Sequence, residues 1–167
     1  MAIDAIYPSL KDKTVLITGG GSGIGEALTR AFIAQRAKVG FLDYDKAASE
    51  MLAAELDSPD LHFEYCDLRD IDALQAAVKA VSTKLGPIRI LVNNAARDDR
   101  HSLESVTSDY FDERIATNLK HQLFAAQAVA GPMAAAGGVS IINMVSTSWM
   151  IGQGGMPCYT TAKSAVQ

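Results

Sequence analysis

The 167-residue sequence is 49% hydrophobic and 20% charged, which is ordinary for a globular protein with its own core. Its formal net charge of −4 argues against a nucleic-acid-binding surface, and no apolar run reaches the ~18 residues of a membrane span. Residues 1–8 lack the features of a secretory signal, and two cysteines are too few for a disulfide scaffold, so we expect a cytoplasmic protein with reduced thiols.

Short apolar runs alternate along the chain with segments that repeat apolar residues at helical spacing. The apolar runs predict strands at 13–18, 38–43, 61–66, 88–92 and 139–145. Helical spacing predicts helices at 26–36, 47–56, 70–85 and 108–136, the last with a candidate break at Gly131–Pro132. A final helix begins near Met156 or Pro157, because proline is tolerated in a first turn.

This alternation predicts an α/β fold. Several predicted strands are apolar on both faces, as in a parallel sheet that helices cover on each side. Right-handed crossovers then give a Rossmann-type doubly wound parallel sheet with helices on both faces, and residues 1–167 form a single dinucleotide-binding domain. The sequence ends soon after the final helix begins, without a stop signal such as Gly or Pro. We therefore expect it to be truncated at its C-terminal end, as the first part of a longer chain.

A glycine-rich turn, TGGGSGIG at 18–25, follows the first predicted strand and precedes a predicted helix. In this context glycines give the tight turn, let the backbone approach a pyrophosphate and let the helix pack on the strand, while the helix N-terminus faces the phosphates. The alternative is a flexible turn capped by Ser22, which the flanking strand and helix make less favoured. The predicted cofactor contacts in this turn are Gly19, Ser22, Gly23, Ile24 and Gly25.

Asp43 closes the second predicted strand, eighteen residues after Gly25. An acid at this place accepts hydrogen bonds from the ribose hydroxyls of NAD and repels the extra phosphate of NADP. Gly20 and Tyr44 supply no compensating cation, although Lys46 is close in sequence. We therefore expect NAD as the cofactor; the alternative is that Asp43 simply starts a turn.

Tyr159 and Lys163 are four residues apart, which places them on one face of a helix, one turn from each other. A phenol is a poor base at neutral pH, and a nearby cation favours the phenolate form. Such a pair occurs by chance in many helices, but combined with the glycine-rich turn it indicates a nicotinamide-dependent dehydrogenase.

Together these motifs resemble the classical short-chain dehydrogenase/reductase family, from about Lys11 to the end of the chain. The three-residue gap between Gly19 and Gly23 has the spacing of the family's classical branch. The family's post-strand acid, its Asn-Asn-Ala-Gly element, its helix asparagine and its catalytic serine are matched by Asp67-Leu68, Asn93-Asn94-Ala95-Ala96, Asn118 and Ser146. Ala96 replaces the usual glycine, which adds a methyl group near the cofactor.

The resemblance implies a role for each of these residues. Tyr159 is the general base, and Ser146, thirteen residues earlier, hydrogen-bonds and orients the substrate oxygen. Lys163 favours the phenolate and holds the nicotinamide ribose, while Asn118 links Lys163 to solvent through water. The family also assembles through the 124–136 helix and the Tyr159 helix, which implies a homodimer or homotetramer. The further cofactor contacts implied are Asp67, Leu68, Asn94, Ala95, Tyr159 and Lys163.

Segments 5–11, 98–101 and 148–149 are similar to bacterial NAD-dependent aldose 1-dehydrogenases of this family, of the D-xylose type. This likeness implies a small-molecule alcohol or sugar substrate whose hydroxyl is oxidised. Polar groups after the fourth strand would bind sugar hydroxyls, and a tryptophan would stack on the sugar ring. The alternative, weighed about equally, is a solvated loop and a core tryptophan. The candidate substrate residues are Arg97, Asp98, His101, Ser148 and Trp149.

Two other functions stay open on the sequence alone. A non-catalytic NAD-binding module would follow from the missing C-terminal part. A carbonyl or 3-oxoacyl reductase would keep the same catalytic residues, but such reductases usually use NADP, so Asp43 argues against one. We expect no metal site, because His62, His101 and His121 lack metal-ligand spacing.

Overall fold

The computed structural model describes residues 5–138 and 140–167 of the chain. Its strands form one parallel sheet in the order β3-β2-β1-β4-β5, with the crossovers of a doubly wound fold. This confirms the Rossmann-type sheet that the sequence predicts. The strands are β1 (Thr14–Thr18), β2 (Lys38–Asp43), β3 (Leu61–Tyr65), β4 (Ile88–Asn93) and β5 (Ser140–Asn143).

In the part of the chain that the structure describes, six α-helices accompany the strands, with short 3-10 helices at Pro8–Leu10 and Leu103–Ser105. Three of the helices begin where a side-chain oxygen accepts a backbone N–H of the first turn, at Asp45, Asp70 and Thr107. Among the described residues no helix is long and apolar enough to cross a membrane. The helices are α1 (Gly23–Ala34), α2 (Lys46–Leu56), α3 (Ile71–Leu85), α4 (Ser108–Ile115), α5 (His121–Ala135) and α6 (Pro157–Ala165).

Helices cover both faces of the sheet because the central strands are apolar on both faces. On one face, Leu16 and Leu42 pack with the buried side chains of α3 and α5. On the other face, Val15, Ile17 and Phe41 pack with α1 and α2. Every residue of β1 is buried, so the strand at the centre of the sheet is enclosed by both cores.

The long helix predicted over 108–136 is interrupted at a different place from the one expected. The helix continues through Gly131–Pro132, because Pro132 lies in the last turn of α5, where its missing N–H removes a single helical bond. The irregularity lies instead at Ala116–Lys120, a π-helical segment between α4 and α5. Such an insertion is common at functional sites, and here it contains buried Asn118.

Two other element bounds differ from expectation for local reasons. α1 begins at Gly23 rather than Glu26, because the glycine-rich turn enters the helix directly. β5 is shorter than expected and all four of its residues are exposed, since it pairs only with β4 among the described strands. Val139, the expected first residue of that strand, lies outside the described residues.

We predict that Gly40→Ala destabilises the fold by about 1–3 kcal/mol, because its Cβ would lie 2.2 Å from Cγ1 of Val81 in the closely packed face of α3. The matched control is Gly131→Ala in α5, whose Cβ would meet nothing within 4 Å and whose effect should stay within about 1 kcal/mol. Urea unfolding of the two variants measures both changes. Equal stabilities would show that the sheet and α3 can separate without cost.

Candidate active site

A cavity of about 380 Å³ opens at the carboxyl ends of the strands. Ligands bind at this edge in open α/β sheets, next to the point where the strand order reverses. Of the cofactor residues predicted from sequence, Tyr159 and Lys163 do not line this cavity. The others do: Gly19, Ser22, Gly23, Ile24, Gly25, Asp43, Asp67, Leu68, Asn94 and Ala95.

At Gly19 and Gly25 the glycine-rich turn lies so close to neighbouring backbone that a side chain there would collide with it. A Cβ at Gly25 would stand 1.7 Å from the carbonyl oxygen of Gly19, and a Cβ at Gly19 would stand 2.9 Å from Cα of Ala95. The Asn94 amide ties the turn to β1 by donating to the carbonyls of Thr18 and Gly19 at 3.1 and 3.0 Å. The turn is therefore held by β1 and β4 together.

The first turn of α1 leaves room and free donors for an anion. Gly23 has φ +55° and a Cβ built on it would meet nothing within 4 Å, so the backbone there is open to the cavity. The Ser22 side chain makes no capping hydrogen bond, contrary to the capped-turn alternative. Unoccupied backbone N–H groups at a helix N-terminus suit a phosphate, so the residues present fit a dinucleotide.

The Asp43 carboxylate is buried and turned toward the glycine-rich turn. Its Oδ2 accepts from Gly21 N at 2.9 Å and its Oδ1 from Asp45 N at 3.0 Å, so it starts a turn and also lines the cavity. The nearest lysine in sequence, Lys46, pairs with Glu50 at 3.7 Å on the exposed face of α2. The local charge at the end of β2 is therefore negative.

Ion pairs that the sequence does not predict line the cavity after β3. They join Asp67, Arg69 and Glu113. The hydrogen bonds that Arg69 donates to Asp67 hold the pKa of that carboxyl below its usual range. Arg69 also contacts Glu113 of α4 at 3.1 Å. No spacing rule links residue 69 to residue 113, so only the folded chain reveals the pair.

Tyr159 and Lys163 lie on one face of α6, as their spacing predicts. The Lys163 ammonium is 5.9 Å from the centre of the Tyr159 ring and donates to the Met144 carbonyl at 2.5 Å. Only 1% of Lys163 is exposed, and burial lowers its pKa to about 8. The ammonium is thus held in place at the end of β5, beside the phenol.

Ser146 and Ser148 form a hydrogen-bonded pair after β5. The Ser146 hydroxyl donates to Ser148 Oγ at 2.9 Å, and Ser148 N donates back to Ser146 Oγ at 3.1 Å. Ser148 is buried, which suits a residue that orients Ser146. Trp149 is 37% exposed, so it is not a core tryptophan.

Asn118 is completely buried inside the π-helical segment. Its Oδ1 accepts from Arg97 N at 2.8 Å and its Nδ2 donates to the Arg114 carbonyl at 3.0 Å. The side chain thereby connects the loop after β4 to the end of α4. Its main-chain oxygen accepts from the Gln122 side chain at 3.0 Å.

A buried histidine adjoins this segment, and its sequence position gave no sign of its burial. His121 is fully buried, and within the described residues neither ring nitrogen has a hydrogen-bond partner. Burial, and then the charge of Lys163, lower the pKa of His121 to about 4, so the ring is neutral at pH 7. Within the described residues, Oδ1 of Asn93 and Oε1 of Gln122 are also buried without a hydrogen-bond partner.

The loop at 97–101 is mostly exposed, as the solvated-loop alternative expects, and it also carries ion pairs. Asp99 contacts Arg97 at 3.0 Å and buried Arg114 at 2.8 Å. Asp98 contacts only Arg100, at 3.8 Å and in an exposed position. The sequence does not predict the role of Arg114. An arginine in an amphipathic helix is expected on the exposed face, whereas Arg114 is buried.

Residues 13–167 match the family described as short chain dehydrogenase. The chain is 48% identical to the D-xylose 1-dehydrogenase of Caulobacter vibrioides, over 98% of this chain and 65% of that protein. It is 45% identical to a "probable galactose dehydrogenase" of Rhizobium meliloti, over 96% of this chain and 64% of that protein. Identity to the galactitol 2-dehydrogenase of Agrobacterium fabrum is 37%, over 94% and 61%.

The crystal structure of gox2181 is also similar, with a TM-score of 0.88 and 25% sequence identity, over 94% of this chain and 63% of that chain. The chain therefore belongs to the short chain dehydrogenase family, as the sequence analysis expected. It spans less than two thirds of the length of the curated relatives, between 61% and 65%.

We predict that burial of Lys163 makes the folded state more stable as the pH rises from about 8 to about 10.5. In that window the folded lysine has lost its proton while the unfolded lysine keeps it, so the unfolded state binds more protons and the free energy of unfolding increases, by up to about 3 kcal/mol. Urea unfolding across this pH range, compared with Lys163→Met, isolates the contribution. Parallel curves for the two proteins would contradict it.

Proposed function

We propose that the protein is an NAD-dependent oxidoreductase that oxidises a hydroxyl of a sugar or a related secondary alcohol. The observation that carries the proposal is the Lys163 ammonium held 5.9 Å from the Tyr159 ring on one face of α6. A tyrosine hydroxyl at this place can act as the general base toward a substrate hydroxyl. Besides a general base, the reaction requires a place for a hydride acceptor. The cavity at the carboxyl ends of the strands supplies that place.

The N-terminus of α1 would hold the pyrophosphate of NAD, and Asp43 would accept from its adenosine ribose. NAD, when bound, would supply the hydride acceptor. Asp67 and Leu68 would hold the adenine, and Asn94 and Ala95 would line the nicotinamide end. Lys163 would hold the nicotinamide ribose.

The chain's own residues handle the proton. Tyr159 takes the proton of the substrate hydroxyl as general base, while the Ser146 hydroxyl turns from Ser148 Oγ to donate a hydrogen bond to the same oxygen. Ser148 supports this role because its N–H holds Ser146 Oγ at 3.1 Å. Lys163 and Asn118 would then pass the proton toward solvent through water, from the buried π-helical segment.

Sugars are the proposed substrate class because relatives at 45–48% identity carry the names of a D-xylose and a galactose dehydrogenase. The polar loop at 97–101 and the partly exposed Trp149 offer hydrogen bonds and an aromatic face, the two groups that sugar recognition uses. Arg97, which lines the cavity, and Asp98, which is exposed, are the loop residues best placed to meet hydroxyls.

The proposal extends to the assembly and the compartment. Leu123 on α5 is 68% exposed. An exposed apolar side chain on this helix supports a contact between copies in a homodimer or homotetramer. Cys66 and Cys158 are both free thiols, which is consistent with a single domain working in the cytoplasm.

We predict that the protein reduces NAD when an aldose is supplied, and that NADP and simple secondary alcohols give less turnover. The measurement is the absorbance of the reduced nicotinamide with a panel of aldoses, polyols and secondary alcohols.

Tyr159→Phe should lower kcat by about 10²–10⁴-fold and leave the Kd for NAD nearly unchanged, because it removes only the base. Substantial turnover by that variant would refute the assignment, and NAD binding without turnover by the unaltered protein would indicate a binding module.

We predict that Asp43→Asn shifts cofactor preference toward NADP, with the ratio of kcat/KM for NAD over NADP falling at least about tenfold. The amide oxygen can still accept from Gly21 N, but the amide NH2 cannot accept from Asp45 N, so the change removes the charge and one of the two turn hydrogen bonds. Asp45→Asn is the control, because Asp45 is exposed and its role as helix cap suits asparagine equally well. An unchanged ratio in Asp43→Asn would mean that another residue selects the cofactor.

A further inference from the structure

His101 is a meeting point of three parts of the chain. Its backbone N–H donates to the Gly155 carbonyl at 2.9 Å, just before α6. Its Nε2 lies 3.3 Å from Cys158 N in the first turn of α6. Its Nδ1 lies 2.8 Å from the Asp99 carbonyl oxygen and 3.1 Å from the Tyr110 hydroxyl of α4.

These partners fix which ring nitrogen carries the proton. The backbone N–H of Cys158 can only donate, so Nε2 of His101 must accept and be unprotonated. The proton of the neutral ring then sits on Nδ1, where the Asp99 carbonyl accepts it and the Tyr110 hydroxyl oxygen is within reach. Both ring nitrogens are therefore used inside the protein, which leaves none for a sugar hydroxyl.

The N-terminus of α6 needs such an acceptor. The residue before the helix, Met156, provides no side-chain cap, and Pro157 has no N–H. Thr160 N already donates to the Met156 carbonyl. The Cys158 N–H is thus an open donor at the start of the helix, and a side chain 57 residues earlier in the chain satisfies it.

The other side of the imidazole is anchored as firmly. The His101 and Tyr110 rings meet edge to face, with centroids 5.0 Å apart. The Arg114 guanidinium lies 5.1 Å from the Tyr110 ring centre and 2.8 Å from the Asp99 carboxylate. The main-chain carbonyl of the same Asp99 accepts the hydrogen bond from Nδ1 of His101. Because Arg114 is buried, this anchor belongs to the core of the protein and not to a mobile loop.

We propose that His101 is a positioning residue that caps α6 and ties it to α4, so that the helix presents Tyr159 and Lys163 in a fixed place. Tyr159 is the residue directly after Cys158, so the cap acts one residue from the base. This inference rests on the proposed function for its kinetic consequence, and it replaces the sequence-based expectation that His101 contacts the sugar.

The tautomer is tested without any assay of activity. Imidazole nitrogen and carbon NMR shifts of histidine-labelled protein, assigned by their loss in His101→Gln, should show protonated Nδ1 and unprotonated Nε2. A ring protonated on Nε2 would overturn the cap. This result stands whether or not the protein oxidises sugars, so failure of the cap and failure of the proposed function are told apart.

The kinetic test uses two variants of the same residue. His101→Ala should lower kcat about 10- to 100-fold while KM for the aldose and for NAD changes less than about twofold, because misplacing the base slows chemistry without removing a substrate contact. His101→Gln should recover most of kcat, since its side-chain oxygen can accept from Cys158 N. A raised KM for the aldose with kcat unchanged would instead make His101 a sugar ligand and overturn the proposal.

The matched control is His62→Ala. His62 is also a partly buried histidine with a single side-chain partner, Glu64 at 2.6 Å, but it lies on β3 away from α6. Its removal should leave both kcat and KM within about twofold. A fall in kcat equal to that of His101→Ala would show a general loss of fold and overturn the specific role of the cap.

Discussion

The close approach of the glycine-rich turn to the ends of β1 and β4 is the constraint on which the site depends. A Cβ at Gly25 would lie only 1.7 Å from the Gly19 carbonyl oxygen, so no other residue can replace this glycine unless the helix moves. The approach brings the N-terminus of α1 to the carboxyl edge of the sheet and leaves its N–H groups without side-chain caps. A cavity for an anionic ligand is therefore a consequence of how α1 packs.

The two buried cations Arg114 and Lys163 differ in how the surrounding residues compensate their charge. Arg114 is buried with two carboxylates, Asp99 and Glu113, as partners, so its charge is compensated and it serves to hold segments together. Lys163 is buried with one carbonyl as its hydrogen-bond partner, and its pKa falls to about 8. A buried cation whose only hydrogen-bond partner is a carbonyl is costly for stability, and residues with such shifted pKa values cluster at functional sites.

The parts of the structure that the sequence predicts are those set by local pattern. The order of strands and helices follows from apolar periodicity, and the cavity-lining residues from Gly19 to Ala95 follow from motifs whose spacing the fold requires. The π-helical segment, buried Arg114 and the cap on α6 could not be predicted in this way. Each depends on contacts between distant residues, such as 99 with 114 and 101 with 158, which no period in the sequence records.

The chain leaving β4 joins the cavity at the carboxyl edge of the sheet to α6. Its first residues, Asn94 and Ala95, bind β1 and line the cavity. Arg97 then binds Asn118 through its backbone, and His101 reaches the first turn of α6. One continuous segment of eight residues thus fixes the glycine-rich turn, the π-helical segment and the helix of Tyr159 relative to one another. The proposed hydride and proton transfers would both need positions held to a fraction of an ångström, and one continuous, hydrogen-bonded connection is a direct way to hold them.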